Sequence, residues 1–169
     1  QDAYVTTERD QHCRRNITLA LTQADKVIVV SGPLYRTLEE RLGRELPNTQ
    51  VIHNGVSLDK VFQGSIEQRG DYKVVLTLGY LIERKGHKYA LEAVAQLLVR
   101  YPHLRYKIAG SGPLQNSLKE LSKKLGLKGV VEFLGFVPND ELPRLLASCE
   151  VFVLPSWDEA FGVVYLESM

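Results

Sequence analysis

The strongest constraint on this chain is an alternation that begins near residue 73. Four apolar runs of strand length, 73–79 (KVVLTLG), 105–110 (RYKIAG), 130–135 (VVEFLG) and 151–156 (VFVLPS), are separated by stretches of helical period. Within 86–100, Tyr89, Ala90, Ala93, Val94, Leu97 and Leu98 recur on one face. Within 113–125, Leu114, Leu118, Leu121 and Leu125 do the same, while Lys119, Lys123 and Lys124 point elsewhere. A shorter helix is expected over 139–149, with Asn139 or Asp140 as N-cap and Pro143 confined to its first turn. Strands that are nearly apolar throughout and alternate with helices imply a parallel sheet covered on both faces. The crossovers are expected to be right-handed, and ligands of such doubly wound α/β sheets bind at the carboxyl ends of the strands.

Residues 1–55 repeat part of this logic. A helical stretch over 4–24 runs into the strand 26–30 (KVIVV). A helix over 33–42 follows, stopped by Gly43, and a short strand over 50–53 ends at Asn54-Gly55. Gly64, Ser65 and Gly70 break a segment without periodicity, so 56–70 reads as a linker. The expected organisation is a first domain over 1–55, a linker over 56–70 and a second domain over 71–169.

Composition removes several function classes. With 44% hydrophobic and 24% charged residues, the chain of 169 is neither disordered nor fibrous. No apolar run approaches the roughly 18 residues of a membrane span, and no signal segment opens the chain. Cys13 and Cys149 match no metal or redox spacing and are expected to be free thiols in a reducing compartment; the four histidines form no zinc-like pair. The net charge of +1 hides segregation. Residues 69–128 carry 12 Lys/Arg against 4 Asp/Glu, and residues 129–169 carry 1 against 7. The basic middle is either a wall for a phosphate-bearing ligand or a set of solvated helix faces.

Each strand of the second half leads into a segment fit for ligand contact. After 73–79 comes YLIERKG, which puts Arg84 and Lys85 at a strand's carboxyl end, just before a helix; such cations suit a phosphate. After 105–110 comes Ser111-Gly112-Pro113, a tight turn that is weak evidence by itself. After 151–156 comes the loop Trp157–Gly162, and the amides of Phe161, Gly162 and Val163 are then unpaired helix-start donors. Glu159 and Glu167 sit eight positions apart across that helix start. They either reach different parts of one extended ligand, or are an acid near the positive helix end and a surface residue.

The stretch VFVLPSWDEAFGVVYLESM resembles the signature of retaining glycosyltransferases of family 4, the glycosyl transferases group 1, which have the GT-B architecture of two Rossmann-like domains. Further segments match in the family's order: ADKVIVVS (24–31), VIHNGV (51–56), TLGYLIERKGHKYALEAV (77–94), YKIAGSGPL (106–114) and VVEFLGFVPNDEL (130–142). The resemblance implies two incomplete domains, an acceptor-side domain over 1–55 and a donor-binding domain over 71–169, in a fragment without activity of its own. It implies transfer of a sugar from a nucleotide-sugar donor such as a UDP- or GDP-sugar, with retention of configuration and with no metal or other cofactor. In its terms Glu159 and Lys85 are catalytic: Lys85 contacts the diphosphate and Glu159 the sugar hydroxyls. Phe161, Gly162 and Val163 supply amides near sugar and phosphate, Glu167 holds the ribose, Phe136 and Val137 read the base edge, and Gly110 and Gly112 line the crevice. The position where most members carry a second cation is Tyr80 here, and Arg84 is the candidate substitute.

The acceptor is expected to be a glycan, a lipid-linked group or a small molecule, never a nucleic acid. The location is cytoplasmic, with peripheral contact at the inner membrane face through the lysine-rich 119–128 as one option and packing of that helix on the sheet as the other. The alternatives are a non-catalytic nucleotide-binding module of the same fold and a GT-B phosphorylase or epimerase. Of the remaining residues, His53 reads as a cleft-edge or core residue and His12 and His87 as solvent-exposed. Ser31-Gly32 either borders the acceptor cleft or makes a simple turn. Trp157 packs over the crevice mouth or covers the sheet end.

Overall fold

The computed structural model describes residues 11–57, 71–157 and 159–169. The chain divides into two compact units: Gln1–Gly55 with Ala160–Gly162, and Val56–Glu159 with Val163–Met169. Most of the expected linker, 58–70, and the first part of the expected helix 4–24 lie outside the described residues.

In the first unit, α1 (Gln11–Gln23), β1 (Val27–Val29), α2 (Gly32–Leu42) and β2 (Thr49–Val51) follow in order, and β1 and β2 pair in parallel. Val27 and Val29 are buried with Leu46. Ser31 is the N-cap of α2: its hydroxyl accepts the Leu34 amide at 3.2 Å, with Pro33 tolerated in the first turn. Gly43, in the left-handed region at φ 66°, closes α2 by donating to Glu39 and Glu40 carbonyls. Asn48 donates to the carbonyls of Leu21 and Ala24, which caps the end of α1 from outside the helix. The second strand begins one residue before the expected 50 and ends at Val51, although the Ile52 amide still reaches the Val29 carbonyl at 2.9 Å.

The second unit holds β3 (Lys73–Leu78), a 3₁₀ turn (Glu83–Lys85), α3 (His87–Leu97), β4 (Leu104–Ala109), α4 (Gln115–Lys124), β5 (Val131–Gly135), α5 (Leu142–Ala147), β6 (Val151–Phe152) and α6 (Val163–Glu167). The four strands are parallel in the order β5-β4-β3-β6. The chain therefore winds outward from β3 through β4 to β5, then returns to the other side of β3. Successive strand residues face opposite layers. Val75, Tyr106 and Ile108 pack with α3 and α4 through Ala90, Leu91, Val94 and Leu118, while Leu76 and Ala109 pack with Leu146 of α5. Helices thus cover both faces of the sheet, as the apolar strands require.

Three expectations need correction. The apolar face of α3 is His87, Ala90, Leu91 and Val94; Tyr89, Ala93 and Leu97 are exposed. The α5 helix starts later than 139, and its cap position is Glu141, which makes no side-chain cap bond; the Glu141 amide instead closes a turn onto Pro138 at 3.1 Å. Only Val151 and Phe152 of the run 151–156 pair as strand, because Pro155 has no amide to donate and the chain turns there. On α4 the leucine stripe packs as expected, with Leu118 buried and Leu114, Leu121 and Leu125 against the same core. That face is therefore occupied by the sheet. Among the described residues no helix is long and apolar enough to cross a membrane.

Candidate functional site

The strand order puts a switch point between β3 and β6, where the winding direction reverses. Loops leaving neighbouring strands there diverge and open a crevice at the carboxyl edge. Two glycines allow the backbones beneath it to close up. A Cβ on Gly110 would meet the Gly79 carbonyl oxygen at 2.0 Å, and one on Gly112 would meet that of Leu81 at 2.6 Å. Hydrogen bonds splice the same rim: Gly79 N to Ala109 O at 3.0 Å, Leu81 N to Ser111 O at 2.8 Å, and Gly110 N to Gly135 O at 2.6 Å. The turn at 111–113 is thus part of a backbone-lined floor where only glycine fits at positions 110 and 112.

The loop after β3 also meets the chain leaving β6. The Trp157 amide donates to the Arg84 carbonyl at 3.0 Å. Lys85 Nζ donates to Glu159 Oε2 at 2.6 Å, and the two side chains are 12% and 20% exposed. Arg84 Nη1 lies 3.9 Å from the same oxygen, and that nitrogen is buried without a hydrogen bond. Two cations from one side of the switch point therefore face one carboxylate from the other. Charges in such a half-dry cluster are screened less by water than those of surface ion pairs.

The remaining candidates distribute as follows. Phe136, next to the end of β5, is 76% exposed, while Val137 packs with Leu76, Ala109 and Leu146. Val163 opens α6, and Glu167 is its last residue, with an exposed side chain. Phe161 and Gly162 group with the first unit, and Gly162 has a φ of 78°. Tyr80 is 57% exposed beside the cluster's loop. Trp157 stacks edge-on against Tyr89 of α3, with centroids 6.1 Å apart. His53 and His12 are exposed. Among the described residues no three metal-ligating side chains lie together. Cys149 is not disulfide-bonded, and its thiol donates to the Leu146 carbonyl at 3.1 Å.

His87, expected at the surface, is 1% exposed. Its Nε2–H donates to the Tyr80 carbonyl at 3.2 Å, since a carbonyl only accepts; Nδ1 is buried with no hydrogen-bond partner. The imidazole thus ties the start of the 80–86 loop to its end. Burial pushes its pKa down, the Tyr80 carbonyl opposes this, and the Lys85 charge adds to the fall. The signal was in the sequence: 87, 90, 91 and 94 follow the spacing of a buried helix stripe.

The model of the family described as "Glycosyl transferases group 1" matches residues 59–169. The chain belongs to this family. It is similar to an uncharacterized glycosyltransferase of Methanocaldococcus jannaschii, 34% identical over 162 residues that cover 89% of this chain and 41% of the relative. It is also similar to mannosylfructose-phosphate synthase of Agrobacterium fabrum, 32% identical, covering 86% of this chain and 36% of that protein. Among solved structures it resembles Anabaena HepE in complex with UDP and glucose, with a TM-score of 0.83 and 26% identity, over 94% of this chain and 46% of the other. Sucrose-phosphate synthase from Thermosynechococcus elongatus gives 0.81 and 25%, over 94% of this chain and 42% of the other. Such structural neighbours are GT-B glycosyltransferases. The group 1 chain thus has the α/β fold with parallel sheets that the resemblance implied, and it spans less than half the length of these relatives.

Proposed function

We propose that this chain carries the donor-binding part of a retaining, metal-independent glycosyltransferase that moves a sugar from a nucleoside diphosphate to an acceptor hydroxyl. The observation that carries the reading is the Lys85–Glu159 pair across the switch point of the sheet. In the transfer, the bond from the anomeric carbon to the β-phosphate oxygen breaks and a bond from the acceptor oxygen to that carbon forms. Negative charge grows on the departing oxygen, which Lys85 stabilises. The acceptor oxygen enters on the face the phosphate leaves and passes its proton to that phosphate, which gives retention. Glu159 accepts hydrogen bonds from the donor sugar's hydroxyls and Glu167 from the ribose. The floor at Gly110 and Gly112 admits the diphosphate, and the backbone at Phe136 and Val137 meets the base. Support comes from HepE, a relative of like fold solved with UDP and glucose.

A non-catalytic nucleotide-binding module is the second reading, favoured by Tyr80 at a position where the resemblance implies a cation. Calorimetric titration of UDP and GDP into the full-length protein tests both. One of them should bind, and Lys85→Ala should weaken it about tenfold or more, the cost of a lost charge-assisted contact. If neither nucleotide binds, the donor-site reading fails. Nucleotide binding without transfer from any UDP- or GDP-sugar favours the module.

A further inference from the structure

The Lys85 ammonium is already engaged. Glu159 holds it at 2.6 Å, in the place that a phosphate oxygen takes in the function proposed above. A diphosphate and Glu159 on the same nitrogen would set like charges side by side where water screens them little. The backbones on either side of the pair are held together. Residues 84 and 157 are hydrogen-bonded, and Gly86 is pressed against Pro155 so closely that a Cβ there would sit 2.1 Å from its carbonyl oxygen. A rotation of the Glu159 side chain has a destination. Arg84 Nη1 is 3.9 Å from the same carboxylate oxygen, buried, and makes no hydrogen bond. A buried guanidinium donor left unfilled is costly, so a carboxylate moving toward it removes a penalty.

We propose that Glu159 is a displaceable counter-ion: a nucleoside diphosphate binds by taking Lys85 from Glu159, whose carboxylate shifts onto Arg84 Nη1. This rests on the donor-site reading and deepens it. The shifted carboxylate, held by Arg84, then accepts hydrogen bonds from the sugar's hydroxyls. Arrival of the diphosphate thereby sets the group that grips the sugar, and Arg84 serves Glu159 rather than the phosphate.

The test is a double-mutant cycle read by calorimetry with UDP and GDP, on the full-length protein. Glu159→Gln should bind the nucleotide about fivefold tighter or more, because the competing charge is gone. In a Lys85→Ala background the same substitution should change affinity less than about twofold, since no pair remains to be broken. Where the Gln variant fails to fold, Glu159→Asp keeps the charge but shortens the reach, and should tighten binding to a smaller degree. A wild-type protein that binds nucleotide, with Glu159 variants that bind equally or more weakly, overturns the displacement. A gain of equal size without Lys85 also overturns it, by showing a general field effect. Absence of nucleotide binding by wild type overturns the donor-site reading itself and the displacement with it.

Discussion

Gly86 and Pro155 touch through their backbones: a Cβ on residue 86 would stand 2.1 Å from the Pro155 carbonyl oxygen, at a φ of 69°. This contact fixes the cluster's loop against the chain leaving β6. Gly86→Ala should therefore destabilise the fold by at least the roughly 1–2 kcal/mol of a left-handed non-glycine residue, with a steric cost added. Urea unfolding of the variant checks this. A midpoint equal to wild type would mean that the two backbones are not held together in solution.

Glu167 ends α6 with its side chain exposed, where the proposed function gives it the ribose hydroxyls. Glu167→Ala should weaken UDP or GDP binding about tenfold, or about 1.4 kcal/mol, while leaving thermal stability within about 0.5 kcal/mol, as for a surface substitution. Unchanged affinity removes the ribose contact.

His87 makes stability depend on acid. Its folded pKa lies below the ordinary 6.5, chiefly through burial, so the unfolded chain takes up the proton first as pH falls. The contribution is fully present above pH 6.5 and is lost as pH drops through the lowered folded value. Urea midpoints measured from pH 8 to pH 5 should fall in wild type. His87→Gln, which keeps a donor for the Tyr80 carbonyl but does not titrate, should flatten that fall. An equally steep fall in the variant would assign the acid sensitivity elsewhere.

Tyr106 gives the opposite sign at the alkaline end. Its hydroxyl is 2.6 Å from the Thr77 hydroxyl, which in turn donates to the Val153 carbonyl at 2.7 Å. Burial pushes the phenol from 10.0 up to about 12. The stability this brings is whole below pH 10 and is lost as pH rises through about 12, because the unfolded chain ionises first. Tyr106→Phe should cost about 1 kcal/mol at neutral pH, the net worth of a buried hydrogen bond. It should also weaken the loss of stability between pH 10 and 12 in urea titrations.

Much of this architecture was legible in the sequence where one physical signal dominated. The run around Val75 reads as a strand because a strand buried on both faces has no room for polar alternation, while the runs around Tyr106 and Phe133 keep Arg105, Lys107 and Glu132 and read as strands by their length between helical stretches. The leucines of α4 read correctly because charged residues fill its other face. Reading failed where polar residues are buried or backbone decides. His87 is polar, yet its spacing to Ala90, Leu91 and Val94 marks it as core. The run from Val151 looked like a full strand, but hydrophobicity does not report that Pro155 lacks an amide. At the candidate site, the resemblance sets Lys85 and Glu159 on one donor but says nothing of a contact between them. Their 2.6 Å contact depends on which strands are neighbours, and strand order is not written in any local pattern.

Strand β5 carries an irregularity next to Ile108 and Ala109, where Phe133 pairs with the first and Gly135 with the second. Counting by twos then changes phase. Phe133 faces the layer of α3 and α4 and Leu134 the layer of α5, yet Val137 also lies with Leu134 rather than with Phe133. That one-residue slip leaves Phe136 projecting outward instead of inward. An engineer who transplants the segment after β5 from another protein of this kind inherits a parity, and a donor segment without the extra residue would exchange the outward aromatic for the inward valine.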